Sequence, residues 1–129
     1  MVLSCYSDEK EIIWLRFNPC RDNIDPQWED WNYCADPLVV CSTDYNKLLL
    51  PYFNIVFPIV EPITGDTQEC FDVCFDNWLV KENWMKIIDA INRDMDSFSE
   101  NERIFYSEFC DWILNELKDV DIIVVEGNL

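Results

Sequence analysis

The chain contains no histidine. That absence removes Ser-His and Cys-His nucleophilic catalysis and every metal site that needs an imidazole ligand. Glycine is almost as scarce. Gly65 and Gly127 are the two present, so no glycine-rich loop can cradle a nucleotide phosphate. Positive charge is short as well: 9 Lys and Arg stand against 26 Asp and Glu, a formal net charge of -17 over 129 residues. Such an imbalance repels phosphate backbones and anionic lipid surfaces, which argues against direct binding to nucleic acid or membrane. Long hydrophobic runs are missing too. The richest stretch, 48–60, is broken by Pro51, Asn54 and Pro58 and falls short of the roughly 18 apolar residues of a membrane span.

What is present is a globular composition. Half the residues are hydrophobic and 15% are aromatic, too apolar for a disordered acidic tail, and the length suits one domain over residues 1–129. The first ten residues show no basic segment followed by an apolar run, so no secretory signal is expected and the location expected is cytoplasmic. Seven cysteines at 5, 20, 34, 41, 70, 74 and 110 form no CxxC pair. An odd set without that spacing fits neither a disulfide framework nor a thiolate zinc site and reads as reduced, small apolar side chains. Asp94-Met95-Asp96 and Asp119-Val120-Asp121 have a chelating spacing but lack the glycine and closing Glu of a calcium loop. No metal and no cofactor is expected. Paired carboxylates for glycoside hydrolysis need a deep cleft that a chain this short rarely builds, so no enzymatic activity is expected.

Periodicity predicts an α+β fold. Residues 11–17, β-branched and aromatic and followed by Asn18-Pro19, read as a buried strand, and 38–41 as a short one. Phe53, Ile55, Phe57 and Ile59 alternate, as do the residues of 70–76, and Thr64-Gly65-Asp66-Thr67 between them is a turn signal; the two runs are expected to form a hairpin. On that reading Cys70 and Cys74 share one strand face, too far apart to bond or to share a metal. Trp84, Ile87, Ile88, Ile91 and Met95 then fall on one helical stripe, with Glu82-Lys86 and Asp89-Arg93 as i,i+4 pairs. Ser99 with Glu102 forms a capping-box pattern for a second helix that carries Phe105, Phe109, Ile113 and Leu117 inward. Residues 121–126 read as a last strand. The expected architecture is a mainly antiparallel sheet with the two helices of the C-terminal half packed on one face and a final strand.

The acids are unevenly placed. Between Arg21 and Lys81 the one basic residue, Lys47, faces eleven acidic ones, and from Asp94 onward ten acids face Arg103 and Lys118. Repulsion at this density costs stability, so its retention points to a cationic partner, although halophilic adaptation produces a similar bias. Trp14, Trp84 and Trp112 lie in strand or helix patterns and read as core. Trp28, Trp31 and Tyr33 lie instead in the proline-marked stretch 18–37, beside Asp22, Asp25, Glu29, Asp30 and Asp36. Aromatic rings set among carboxylates are what an interface for a Lys- and Arg-rich protein needs. The alternative, tryptophans folded back over the sheet with the acids merely solvated, stays open. The outer face of the second helix, with Glu100, Glu108 and Asp111, is a second acidic candidate.

The most economical function is an inhibitor that binds a basic protein. Nucleases are the obvious targets because their substrate surfaces are lined with Lys and Arg. In size, α/β character, acidity and the aromatic stretch Phe75-Asp76-Asn77-Trp78-Leu79-Val80-Lys81-Glu82-Asn83-Trp84 leading into a helix, the chain resembles the immunity proteins of bacterial toxin–immunity systems, including contact-dependent growth inhibition, polymorphic toxin and colicin systems. The resemblance is one of general character and carries no functional residue across. It implies a cognate toxin domain, often a tRNase or DNase, neutralised one to one in the cytoplasm. Two other readings remain: a nucleic-acid mimic that blocks a phage-defence enzyme, and a small acidic assembly subunit.

Overall fold

The computed structural model describes residues 1–20 and 36–129. Its centre is a four-stranded antiparallel sheet in the order β2-β1-β6-β5, built from β1 (Trp14–Cys20), β2 (Leu38–Cys41), β5 (Asp76–Val80) and β6 (Ile122–Gly127). A separate two-stranded hairpin joins β3 (Ile59–Val60) and β4 (Thr67–Gln68). The C-terminal strand β6 is therefore central. Ile122, Ile123, Val124 and Val125 are all buried, and an unbroken apolar run of that kind fits a strand covered on both faces.

Among the described residues the helices pack on one face of the sheet. α3 (Lys81–Arg93) and α4 (Glu100–Glu116), with a helical run over 42–56, close a core against Leu15, Phe17, Leu79, Ile123 and Val125. The fold is thus α+β, with the sheet, the helices of the C-terminal half and the final strand arranged as the periodicity predicts. Phe17, Phe53, Trp84 and Phe109 meet at the middle with ring centroids 5.4 to 6.4 Å apart. The buried Trp84 indole donates to the carbonyls of Leu79 at 3.1 Å and Ile123 at 3.3 Å, so its polar atom is satisfied. α4 opens with the predicted capping box: the Glu102 N–H donates to Ser99 Oγ at 3.3 Å, and the Ser99 N–H donates to Glu102 Oε1 at 3.1 Å. Phe105, Phe109, Ile113 and Leu117 are buried as expected. Lys86 and Glu82 meet at 3.5 Å; between described residues the other ion pair is Arg16–Glu126, so Asp89–Arg93 is not formed.

The N-terminal segment is tied to the start of the helical run by two carboxylates. Asp44 is fully buried and accepts the backbone N–H groups of Cys5 at 2.8 Å, Tyr6 at 2.7 Å and Ser7 at 3.3 Å. In return, α1 (Ser42–Asp44) begins after Cys41, which has no oxygen to cap it. Glu11 supplies the cap from outside, accepting from the Thr43 N–H and the Ser42 hydroxyl, each at 2.9 Å. The Thr43 N–H, first among several donors, holds the Glu11 carboxyl down at about 2.

Several expectations are corrected. The run through Phe53, Ile55, Phe57 and Ile59 is not a strand up to 59. It is helical as far as Val56: a π-helical turn over Tyr45–Leu49, then α2 (Leu50–Phe53) and a 3-10 turn over Asn54–Val56, leaving Ile59 and Val60 as strand. Tyr45, Leu48, Leu49 and Phe53 are the buried positions, a helical spacing that outweighs the alternation. The widened turn, in which the Leu50 N–H reaches back to the Tyr45 carbonyl, accommodates Pro51, which lacks an N–H of its own. Residues 70–75 are loop rather than strand, so the predicted facing of Cys70 and Cys74 does not hold. The hairpin forms around the predicted turn, with Gly65 at φ 78°, but its second arm is Thr67–Gln68. Asn18-Pro19 does not stop β1. Pairing with β2 ends at Phe17, and Asn18, Pro19 and Cys20 pair with β6 alone among the described residues, a position where a missing N–H is tolerated. Trp84 is core, whereas Trp112 is half-buried against it and Trp14 carries the Arg16 guanidinium over its ring at 4.6 Å.

Candidate interaction surface

Asp22, Asp25, Trp28, Glu29, Asp30, Trp31 and Tyr33 lie outside the described residues. Asp36 is exposed just before β2, and Glu100, Glu108 and Asp111 are exposed on α4 as expected. On α4 that face also carries Arg103, Ile104 and Leu114, so it is not one-signed.

A different region is. The β3–β4 hairpin and the loop 69–75 enclose an open cavity of about 560 Å³ whose wall includes five carboxylates, Glu61, Asp66, Glu69, Asp72 and Asp76, and, among the described residues, no Lys or Arg. Phe71 and Val73 supply apolar floor. Phe75, 71% exposed, ends that loop, just before Asp76 at the start of β5. Two further open cavities, of about 720 and 730 Å³, lie over the helices. There Lys86 and Arg93 outnumber Asp89, and Lys47 and Arg93 balance Asp94 and Glu102, so neither has a negative field to steer a cationic partner.

The acidic cavity is held in shape from beneath. At one wall the hairpin turn closes through Glu61 N–H to Asp66 O and Gly65 N–H to Glu61 O, both 2.8 Å. At the other, the fully buried side chain of Asn77 gathers the loop. Its Oδ1 accepts from Gln68 Nε2 at 2.7 Å and the Asp72 N–H at 2.8 Å. Its Nδ2 donates to the carbonyls of Asp72 at 2.7 Å, Val125 at 3.0 Å and Phe75 at 3.3 Å. The Gly127 N–H also donates to the Phe75 carbonyl, at 3.2 Å. A Cβ on Gly127 would lie 1.9 Å from the Val73 carbonyl oxygen. Gly127→Ala must therefore push the loop off the end of β6, and the expected cost is about 1–3 kcal/mol, read as a lower urea midpoint. A midpoint equal to wild type would show that the loop does not rest on β6.

One row of side chains crosses the sheet at the cavity's base. Arg16, Glu126 and Asp76 are register partners on β1, β6 and β5, with Arg16 Nη1 3.8 Å from Glu126 Oε1. Burial, and then the charge of Glu126, push the Asp76 carboxyl up to about 6.

The sequence signal for this site was its contribution of five acids to the stretch facing Lys47 alone. Their convergence is hidden in the sequence, because the alternation of 70–76 predicts a strand whose acids point away from the packed face. One of the eleven acids in that stretch, Asp44, is buried and adds nothing to the surface. Among the described residues no group of His, Cys, Asp or Glu has the arrangement of a metal site, and no helix is long and apolar enough to cross a membrane. The cysteines described are free thiols, with Cys70 and Cys74 exposed. No family model matches the chain, and neither a curated protein nor a solved structure matches it, so the site is read from its own geometry.

Proposed function

We propose that this protein is a non-enzymatic inhibitor of the immunity type, which captures a basic protein partner in the cytoplasm and neutralises it by occupation. A toxin nuclease is the partner class that fits best, since its substrate surface must carry Lys and Arg. The observation that carries this reading is the cavity of five carboxylates in which, among the described residues, no Lys or Arg compensates them. A concave acidic site receives a projecting basic loop or helix, and the apolar lining from Phe71 and Val73 supplies the desolvated contact that charge alone does not. A preorganised wall matters here, because ordering a loop at the moment of binding would consume much of the affinity.

The test is association kinetics with basic nuclease domains. Reversing Asp66, Glu69 and Asp72 together to lysine is expected to slow association roughly 30-fold at low salt, with a much smaller change in dissociation. The same three-fold reversal at Glu100, Glu108 and Asp111 is the control and should change the rate only a few-fold. Equal losses from the two sets would mean that net charge, not the cavity, drives encounter. Reversal at Glu29 and Asp30 tests the stretch first indicated by the sequence.

A further inference from the structure

Asp76 occupies a position that the other four acids of the cavity do not. It belongs both to the cavity wall and to the row that crosses the sheet, where Glu126 is its direct neighbour on β6. The one cation of that row, Arg16, lies beyond Glu126 on β1 and is committed there at 3.8 Å. Glu61 and Asp66 of the hairpin and Glu69 and Asp72 of the loop line the same cavity, and among the described residues no Lys or Arg does. Asp76 is therefore a half-buried acid with Glu126 as its direct neighbour and, among the described residues, no cation of its own.

We infer that Asp76 is a proton switch in the cavity wall: protonated in mildly acid solution, it withdraws one negative charge, and ionised at neutral pH it offers that charge to a cationic side chain from outside. Its proton is held by burial and by Glu126, and a Lys or Arg entering the cavity displaces it. The effect on binding rests on the function proposed above, whereas the titration of the free chain does not. The direction for stability follows from linkage. Because the folded carboxyl titrates near 6 and the ordinary one near 3.8, the folded state is favoured by Asp76 below about 4 and loses that advantage as pH rises through 6. Asp76→Asn should thus lower the unfolding constant by roughly tenfold at pH 7.5, partial exposure screening the rest, and make little difference at pH 4.

Carbon-detected titration of the side-chain carboxyls in the free protein reads the switch directly, with tetralysine as the cationic probe. The expected result is an Asp76 midpoint near 6 and tetralysine affinity that rises several-fold from pH 5 to 7.5 in wild type but is nearly flat in Asp76→Asn. Arg16→Gln, which strips the cation from Glu126, should move the Asp76 midpoint higher still. A midpoint near 4 overturns the inference, as does a pH dependence of tetralysine binding that Asp76→Asn leaves unchanged. If tetralysine fails to bind at either pH while the midpoint stays near 6, the cavity reading of function fails and the switch in the free chain stands.

Discussion

Asp44→Ala is expected to destabilise the protein by about 4 kcal/mol, since it removes the shared acceptor of three backbone N–H groups at 2.7 to 3.3 Å. Hydrogen bonds to an ionised acceptor contribute roughly 1.5–3 kcal/mol each, and three that share one carboxylate sum to less than three times that. Relaxation also limits the loss, because Tyr6 is partly exposed and water can reach its N–H once the segment lifts. Asp44→Asn keeps one acceptor oxygen and should cost about half as much. Two measurements check this. Urea denaturation gives the magnitude, and amide exchange at Cys5, Tyr6 and Ser7 shows whether the segment has been released. Loss of protection there, with β6 still protected, would locate the damage. A change below about 1 kcal/mol with protection intact would mean that the N-terminal segment is held by its pairing to β2, where the Leu3 N–H donates to the Val39 carbonyl at 3.0 Å.

Asp44 also marks the limit of what composition conveys. A count of 26 acids treats every carboxylate as surface charge, yet this one is an internal acceptor. Where local chemistry and tertiary packing agree, the sequence was legible. The apolar stripe of α3, the Ser99–Glu102 box and the Ile-Ile-Val-Val run of β6 each specify their element unaided. Where they compete, packing won. Phe53 alternates with Ile55 and Phe57 as a strand residue would, but its ring sits 6.0 Å from Phe17 and 5.7 Å from Trp84. That contact is available only if 42–56 coils over the sheet, which sets the helical period. The alternation of 70–76 lost for a related reason. Gly127 leaves room for the Val73 backbone to cross the end of β6, and Asn77 holds the crossing, so the chain bends where periodicity predicts extension. The cavity follows from that bend. No spacing rule could have gathered Glu61 with Asp76, because the loop that brings them together is fixed by one buried amide and one missing side chain.

Asn77→Ala is accordingly expected to cost about 4 kcal/mol and to collapse the cavity together with partner capture. The Asn77 amide is the partner of the Asp72 N–H and the Asp72 carbonyl, and it also donates to the Val125 carbonyl inside the protein. Each buried group left without a partner costs roughly 1–3 kcal/mol, and the vacated volume adds a cavity penalty. Asn77→Asp separates the two contributions. It keeps the volume and the Oδ1 acceptor, but its second oxygen would face three carbonyls at the distances where Nδ2 now donates, beside Asp72 and Asp76. A buried charge in that setting is worse than a void, so Asn77→Asp should be at least as destabilised as Asn77→Ala at pH 7.5 and should recover part of the loss at pH 5, where the acid is neutral and can donate. Denaturation at the two pH values supplies the comparison. Were Asn77→Asp to match wild type at pH 7.5, the buried amide would not be what shapes the loop, and the preorganised acidic wall would need another origin.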